Sequence, residues 1–227
     1  MIAKNLKIIR EKISAKCLET GRDINDITLI AVSKTYPAEA VETAFQEGIK
    51  DFGENKAQEL TKKAEDVKPD VSWHFIGHLQ TNKVKYIINS AEYIHSVDSV
   101  KLADEINKRA DALNKVQKIL LEVNTSKEAS KYGIETEEEL RSVAEYCREC
   151  KNLKVTGLMT MAPYTDDTAV IKKCFSTLRE LKDKLNDDGF ELTELSMGMS
   201  NDYEIAIEEG ATMLRIGSAI FGERNYL

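Results

Sequence analysis

Lys34 is the residue whose type and position first suggest chemistry, because it ends an apolar, β-branched run in the segment LIAVSKTYP, residues 29–37. A lysine at the end of a strand is usually a solvated terminus. A lysine held inside a cleft is partly desolvated, gives up its proton more easily and then attacks carbonyl carbons. Lys34 is therefore a candidate for reversible bonding to an aldehyde.

Two segments near the end of the chain have the composition of an anion site. In RIGSAIFG, residues 215–222, a strand-like run meets Gly217 and Ser218 before a short helical pattern. Backbone N–H groups and a hydroxyl can converge on an anion at such a junction. Ser200, within SMGMS, can donate from a neighbouring loop. An amine beside a phosphate cradle predicts a site for a phosphorylated aldehyde.

The elements that must position these residues alternate along the whole chain. Short strand-like runs are separated by longer amphipathic stretches, such as 136–147, which opens with the capping box TEEE. A further helix is predicted before the first strand, from apolar residues that recur every three or four positions up to Gly21. The eight predicted strands cover residues 28–34, 51–54, 73–77, 93–97, 118–124, 155–161, 194–198 and 213–216.

Eight strand and helix repeats in 227 residues predict an α/β fold, a single (β/α)8 TIM-type barrel with an extra N-terminal helix. An open doubly wound sheet is the alternative, yet no G-x-G-x-x-G follows the first strand. No linker or low-complexity segment divides the chain, so residues 1–227 are predicted to form one domain. Such barrels carry their active site at the carboxyl ends of the strands. The polar residues there are Lys34, Asn55, His78, Asn124, Ser196, Ser200, Arg215 and Ser218.

Composition narrows the classes of partner. The net charge is -7 and like charges do not cluster in long blocks, so a surface for nucleic acid is not expected. No apolar run approaches the roughly 18 residues of a membrane span, and the N-terminal pattern mixes charges among its apolar residues. These features predict a cytoplasmic protein that binds neither nucleic acid nor membranes.

Two spacings that metal sites use have simpler explanations. Cys147 and Cys150 form a C-x-x-C pair, but a structural zinc site needs about four ligands, and the other two cysteines stand alone. His74 and His78 are spaced like two metal ligands on a strand, yet a third ligand has no evident source. We therefore predict no metal site, an apolar role for Cys147, and a hydrogen-bonded interior or site-lining role for His74.

Seven segments carry a resemblance to a known family. They are AVSKTYP, DFGENKAQEL, WHFIGHLQTNK, EVNTSKEASKYGI, GLMTMAP, LSMGMSNDYEIAI and LRIGSAIFG. Together they span essentially the whole chain and resemble the YggS/PROSC family of pyridoxal phosphate homeostasis proteins. That family is similar in fold to the barrel domain of bacterial alanine racemases.

The resemblance implies a cofactor, pyridoxal 5'-phosphate (PLP), and roles for the matching residues. Lys34 would form a Schiff base with the cofactor. Ser200, Gly217 and Ser218 would hold the phosphate, and Arg215 would face the pyridine nitrogen. The other motif positions expected to bind the cofactor are Asn55, His78 and Met199.

Arg215 also bears on whether such a site turns over a substrate. An arginine stays charged and disfavours a proton on the pyridine nitrogen, so the cofactor becomes a weaker electron sink. The resemblance implies a protein that holds PLP as a lysine aldimine for intracellular vitamin B6 and amino-acid homeostasis, without established catalytic turnover. The alternative is a PLP-dependent enzyme such as a weak amino-acid racemase, which needs a second acid–base residue opposite Lys34. Tyr36 and Tyr164 lie nearest to predicted strand ends.

A third interpretation is a barrel that binds another phosphorylated metabolite without forming a covalent bond. On the favoured interpretation the expected partners are PLP and, beyond it, amino acids or PLP-dependent apoenzymes, and the protein is expected to be a monomer. Lys127, Lys131 and Lys172 are further amines at which the cofactor could dock.

Overall fold

The computed structural model describes residues 1–128 and 131–222, and within them eight parallel strands close into a barrel in chain order. Strand β1 pairs with β8, so the described sheet has no free edge. The predicted α/β fold, a (β/α)8 barrel of the TIM type, is confirmed. The strands are β1 (Thr28–Val32), β2 (Asp51–Glu54), β3 (Ser72–Phe75), β4 (Ala91–Val97), β5 (Gln117–Glu122), β6 (Leu153–Met159), β7 (Glu194–Ser196) and β8 (Met213–Ile216).

Helices surround the barrel, and the predicted helix before the first strand is present. That helix, α1, packs against α2, α8 and α9. The helices are α1 (Ile2–Thr20), α2 (Ala38–Gln46), α3 (Ala57–Asp66), α4 (Val84–Ile87), α5 (Val100–Asp111), α6 (Glu137–Glu149), α7 (Thr168–Asp187), α8 (Tyr203–Glu208) and α9 (Ser218–Phe221).

Local signals in the sequence explain where two of these helices begin and end. Helix α1 stops at Gly21, whose φ of 68° is a left-handed conformation that glycine adopts without a steric penalty. Helix α6 begins after Thr136, whose hydroxyl accepts a hydrogen bond from the backbone N–H of Glu139 at 3.1 Å. The negative charges of three glutamates in its first turn interact favourably with the positive end of the helix dipole.

The apolar core has two parts. The larger part fills the layer between the strands and the surrounding helices, and its fully buried side chains include Phe52, Phe75 and Phe175. The smaller part comprises Ile30, Leu120, Met159 and Met213, which pack together from four different strands. Side chains of a strand alternate between two faces, so one face of each strand packs on helices while the other fills the barrel lumen.

The carboxyl ends of five strands differ from the prediction by the same amount. The predicted ends of β1, β3, β5, β6 and β7 were wrong, because each of these strands ends two residues earlier than expected. Residue type could not reveal this, since a strand ends where the neighbouring strand stops offering hydrogen bonds. Lys34 therefore lies in the loop after β1 instead of ending the strand itself.

In residues 1–128 and 131–222, no helix combines the length and the apolar character that crossing a membrane requires. The prediction of one domain over residues 1–227 also covers 223–227, which lie outside the described residues, and it stays a prediction.

Candidate functional site

A cavity of about 420 Å³ lies at the carboxyl ends of the strands. It is lined from the loops after seven strands, namely β1, β2, β3, β5, β6, β7 and β8, and by the last residue of β5. The closed barrel thus brings together all of the residues that the sequence pointed to as cofactor ligands. They are Lys34, Asn55, His78, Met199, Ser200, Arg215, Gly217 and Ser218.

The loop that carries Lys34 is tightly turned. The backbone N–H of Tyr36 donates to the carbonyl of Ser33 at 3.0 Å, which closes the loop around Lys34 and Thr35. Thr35 has a φ of 72°, a left-handed conformation that is rare for a β-branched residue. Its backbone N–H donates to Glu59 Oε1 at 2.6 Å, so a side chain of α3 holds the strained residue in place.

A buried ionic cluster centred on Lys63 holds the loop of Lys34 in place. Lys63 Nζ donates to the carbonyl of Ser33 at 2.7 Å, to Glu54 Oε1 at 2.6 Å and to Glu59 Oε1 at 2.9 Å. The Ser33 hydroxyl also donates to Glu54 Oε1, at 2.6 Å. Burial raises the pKa of Glu54, and the charge and hydrogen bond of Lys63 oppose that rise. The cluster fixes the backbone on both sides of Lys34.

The loops after β7 and β8 meet at the start of α9. The backbone N–H of Ala219 donates to the Ser200 hydroxyl at 3.3 Å, which places Ser200 beside the first turn of that helix. A side chain at Gly217 would crowd the carbonyl of Val32, at 3.2 Å, so glycine allows the end of β8 to approach the end of β1. The N–H groups of Gly217 and Ser218 precede the first helical hydrogen bond and have no acceptor within the helix.

Asp202 organises the segment between Met199 and α8. Its carboxylate accepts a hydrogen bond from the backbone N–H of Met199 at 2.5 Å and is buried. Burial raises the pKa of Asp202, while the backbone hydrogen bond and Arg215 oppose that rise. Asp202 is the residue before α8, as its type predicts for a helix cap, although its side chain binds the preceding loop instead of the helix.

Arg215 reaches the cavity from inside the barrel and is 4% exposed. Its guanidinium donates to the Ser196 hydroxyl at 2.5 Å and to the carbonyl of Thr160 at 2.8 Å. Burial lowers the pKa of Arg215 to about 10, against the opposing charges of Asp202 and Glu122. The guanidinium therefore stays charged at neutral pH. Ser196, one of the predicted strand-end residues, lies beneath Arg215 and does not line the cavity.

Glu122 is a cavity residue that the sequence reasoning missed. It is the last residue of β5 and is 3% exposed. Burial and the charge of Asp98 raise its pKa to about 7, and Arg215 partly opposes the rise. The two-residue overestimate of β5 had directed attention to Asn124 instead. A carboxyl group with this pKa can give or take a proton near neutral pH.

Tyrosines line the open side of the cavity. Tyr132 stacks on His78 with ring centroids 3.7 Å apart, and the sequence did not single it out. Tyr164 lines the cavity and is 96% exposed. Tyr36 does not line the cavity, and its hydroxyl donates a hydrogen bond to the carbonyl of Gly222 at 2.7 Å. Of the two tyrosines predicted as acid–base candidates, only Tyr164 is among the residues of the cavity.

Other candidates from the sequence lie away from the cavity. The side-chain amide of Asn124 donates to the carbonyl of Glu128 at 3.0 Å and thereby holds the loop after β5. His74 is buried and hydrogen-bonded inside the barrel, which confirms the prediction of an interior residue. Burial raises the pKa of the Cys147 thiol to about 12. In the described part of the chain, no three His, Cys, Asp or Glu side chains are grouped so that they could hold a metal ion.

The donor set of the cavity fits a phosphorylated aldehyde that carries a ring nitrogen. Lys34 offers a primary amine, Ser200 and Ser218 offer hydroxyls beside backbone N–H groups that have no acceptor within α9, and Arg215 offers a charged guanidinium. The volume lies within the range of small-molecule sites. Such a site can bind phosphate and form a covalent bond to a carbonyl carbon.

Comparisons with known proteins agree with this description. The chain matches the family model for the alanine racemase N-terminal domain over residues 2–225. It is 47% identical over 225 residues to the pyridoxal phosphate homeostasis protein of Aquifex aeolicus, covering 98% of each chain. It is 42% identical to the protein of the same name from Pseudomonas aeruginosa, over 99% of this chain and 96% of that relative.

Among solved structures, the chain is similar to PipY of Synechococcus elongatus, whose structure has PLP bound. The TM-score is 0.86 and the sequence identity is 34%, and the match covers 98% of this chain and all of PipY.

Proposed function

Because the chain belongs to the alanine racemase N-terminal domain family and, within it, to the pyridoxal phosphate homeostasis proteins, we propose that it binds PLP at Lys34 and acts in vitamin B6 and amino-acid homeostasis. One observation carries the proposal. A lysine amine, an anion cradle and a buried guanidinium, which come from opposite ends of the chain, line the same cavity.

Each group has a distinct task in holding the cofactor. When bound, PLP supplies an aldehyde carbon that bonds reversibly to a primary amine with loss of water. Lys34 supplies that amine from a loop that the Lys63 cluster holds in place. Ser200, Gly217 and Ser218 bind the phosphate through hydroxyls and backbone N–H groups. Asn55, His78 and Met199 contribute to the remaining walls.

Arg215 favours storage over turnover. A guanidinium that stays charged at neutral pH opposes a proton on the pyridine nitrogen, so the bound ring withdraws electrons weakly. A protein of this kind holds a reactive aldehyde and releases it when another amine displaces Lys34. The same proposal assigns the protein to the cytoplasm as a monomer that exchanges PLP with amino acids or PLP-dependent apoenzymes.

A weak amino-acid racemase is the second candidate function. Glu122 and Tyr164 favour it, because both line the cavity and either could serve as a second acid–base group. Exchange of the α-hydrogen of amino acids in deuterated water separates the two functions. If the PLP-loaded protein catalyses incorporation of deuterium into an amino acid, and Lys34→Ala does not, the result would favour the racemase over the carrier.

The binding proposal is tested with wild-type protein, Lys34→Ala and the control Lys56→Ala. Lys56 is exposed, follows the cavity residue Asn55 and does not line the cavity. Each protein is incubated with PLP, freed of excess, scanned for a long-wavelength absorption band, reduced with borohydride and mapped by mass spectrometry.

We expect the band in the wild type and in Lys56→Ala, with the reduced cofactor attached at Lys34. Equal bands in Lys34→Ala would refute Lys34 as the bonding amine, and attachment at Lys127, Lys131 or Lys172 would identify another site. Tight phosphate-dependent binding without a band would favour the third interpretation, a barrel for another phosphorylated metabolite.

A further inference from the structure

A continuous row of polar side chains, buried except for the first, crosses the barrel lumen from its amino-terminal end to the cavity. The row joins Asp51 of β2, His74 of β3, His95 of β4, Ser196 of β7 and Arg215 of β8. The distances are 3.1 Å from Asp51 Oδ1 to His74 Nε2, 2.9 Å from His74 Nδ1 to His95 Nε2, 2.8 Å from His95 Nδ1 to Ser196 Oγ, and 2.5 Å from Ser196 Oγ to Arg215.

In one arrangement of the protons, every hydrogen bond of this row points from Arg215 towards Asp51. Arg215 can only donate, so the Ser196 oxygen accepts from it and the Ser196 O–H can donate to His95 Nδ1. His95 then carries its proton on Nε2 and donates to His74 Nδ1. His74 in turn carries its proton on Nε2 and donates to the carboxylate of Asp51, which can only accept.

The surroundings of His95 favour the uncharged form of that histidine. His74, His95 and Ser196 are each 0% exposed, whereas Asp51 keeps 30% of its side-chain surface exposed. Burial lowers the pKa of His95 well below its usual range, and His74 and Arg215 add to that effect. A charged histidine would place a second cation in the lumen that already holds the buried guanidinium.

We propose that Asp51, His74, His95 and Ser196 form a one-directional hydrogen-bonded relay that positions the guanidinium of Arg215 beneath the cavity. These four are positioning residues, because they act on a bound molecule only through Arg215. The inference rests on the proposed function only in assigning the pyridine nitrogen of PLP as the group that Arg215 faces. The relay itself is a property of the protein alone.

One other arrangement satisfies the same distances. With both nitrogens of His74 protonated, His95 would accept from His74 and donate to Ser196 through Nδ1–H. The Ser196 hydroxyl would then accept twice, and its own proton would need a further acceptor. Among the described residues, the hydrogen-bond partners of this hydroxyl are His95 and Arg215. The two arrangements differ in which nitrogen of His95 is protonated, so they are distinguishable by experiment.

The first test measures the histidine tautomers in cofactor-free, ¹⁵N-labelled wild-type protein by long-range nitrogen–proton NMR at pH 7. We expect His74 and His95 each to show a protonated Nε2 and an unprotonated Nδ1. A protonated Nδ1 on His95, or a doubly protonated His74, would overturn the relay. This measurement needs no PLP, so it stands even if the protein fails to bind the cofactor.

The second test compares Ser196→Ala with the control Ser96→Ala. Ser96 is next to His95 and equally buried, but its hydroxyl has no hydrogen-bond partner in the described part of the chain. In Ser196→Ala we expect a mixture of His95 tautomers and PLP affinity weaker on the order of tenfold, as for the loss of one hydrogen bond to a charged group. Ser96→Ala should retain the wild-type tautomers and affinity.

Unchanged tautomers and affinity in Ser196→Ala, or equal changes in both variants, would overturn the positioning role. Asp51→Ala provides a second variant at the partly exposed end of the row, where folding is less at risk. The Ser72 hydroxyl also lies 3.3 Å from His74 Nε2, so Asp51→Ala is combined with Ser72→Ala. We expect the combined variant to show a mixture of His74 tautomers, and an unaltered His74 signal would contradict the proposed direction. If wild-type protein shows the expected tautomers but binds no PLP, the proposed function is refuted and the proposed hydrogen-bonded relay is still supported.

Discussion

Replacing Lys63 with methionine tests how the loop of Lys34 is held. The ammonium of Lys63 is the shared donor for the Ser33 carbonyl and for the carboxylates of Glu54 and Glu59. The Lys63 side chain is 7% exposed and that of Glu54 is 0% exposed, so water cannot replace the lost bonds without opening the structure. Methionine has nearly the same length and removes only the charge and the donors.

The expected loss of stability is about 3 to 5 kcal/mol, because removing one partner leaves a buried charge without compensation. The loss should depend on pH. Without Lys63, the pKa of Glu54 rises further, since the largest opposing contributions to its burial are gone. Glu54 can then take up a proton at low pH, so Lys63→Met should be less destabilising at pH 5 than at pH 8.

Urea unfolding at pH 5 and pH 8 measures both effects, and borohydride trapping of PLP measures the consequence for Lys34. Lys62→Met is the matched control, because Lys62 is the exposed neighbour on the same helix. The double variant Lys63→Met with Glu54→Gln should recover part of the stability at pH 8, since no buried carboxylate remains. We expect slower trapping at Lys34 in Lys63→Met and an unchanged rate in Lys62→Met.

A loss of stability below about 1 kcal/mol at pH 8 is typical of an exposed ion pair. That result would refute the conclusion that Lys63 compensates a buried charge. So would an equal loss at both pH values, because it would mean that the charge of Glu54 is not what destabilises the variant. Trapping at the wild-type rate in a destabilised but folded Lys63→Met would show that the cluster stabilises the barrel without positioning Lys34.

Two further predictions concern the strands around the cavity. Burial raises the pKa of Glu122 from 4.5 to about 7. The free energy of unfolding should therefore fall as the pH rises from 4.5 to 7, because the folded protein holds the ionised carboxylate less favourably than the unfolded chain does. At about 1.4 kcal/mol per pKa unit, the total loss is roughly 3 kcal/mol. Glu122→Gln should therefore be more stable than the wild type in urea at pH 8 and equal to it near pH 4, and a less stable variant at pH 8 would contradict this. At Gly157 of β6, a Cβ would overlap the backbone carbonyl of Glu194 in β7. Gly157→Ala should lower the free energy of unfolding by roughly 1 to 3 kcal/mol or more, and an unchanged urea midpoint would show that the β6–β7 pair can separate without loss.

Much of the fold could be read from local patterns. The alternation of eight strand-like runs with amphipathic helices predicted the closed barrel, and Thr136 with Glu139 marked the start of α6. These signals are local, because hydrophobic periodicity and capping depend on residues a few positions apart. Strand ends were less predictable, since they depend on where the adjacent strand stops.

The sequence predicted most of the functional residues that line the cavity, but it did not predict all of them. Lys34, Arg215 and Ser218 stood at predicted strand ends, and the resemblance to a family implied their roles before any geometry was known. Glu122 and Tyr132 were missed. Glu122 was hidden by the error in the end of β5, and Tyr132 lies in a loop whose path the sequence pattern does not specify.

By itself, the sequence determined the order of the elements and which residues stand at the mouth of the barrel, because both follow from periodicity along the chain. The relay across the lumen was decided only by the tertiary structure. His95 carries no signal of its own in the sequence, and its partners His74 and Ser196 lie 21 and 101 residues away. They meet because the closed barrel fixes the register between strands, and register is a relation between distant segments that no single segment encodes.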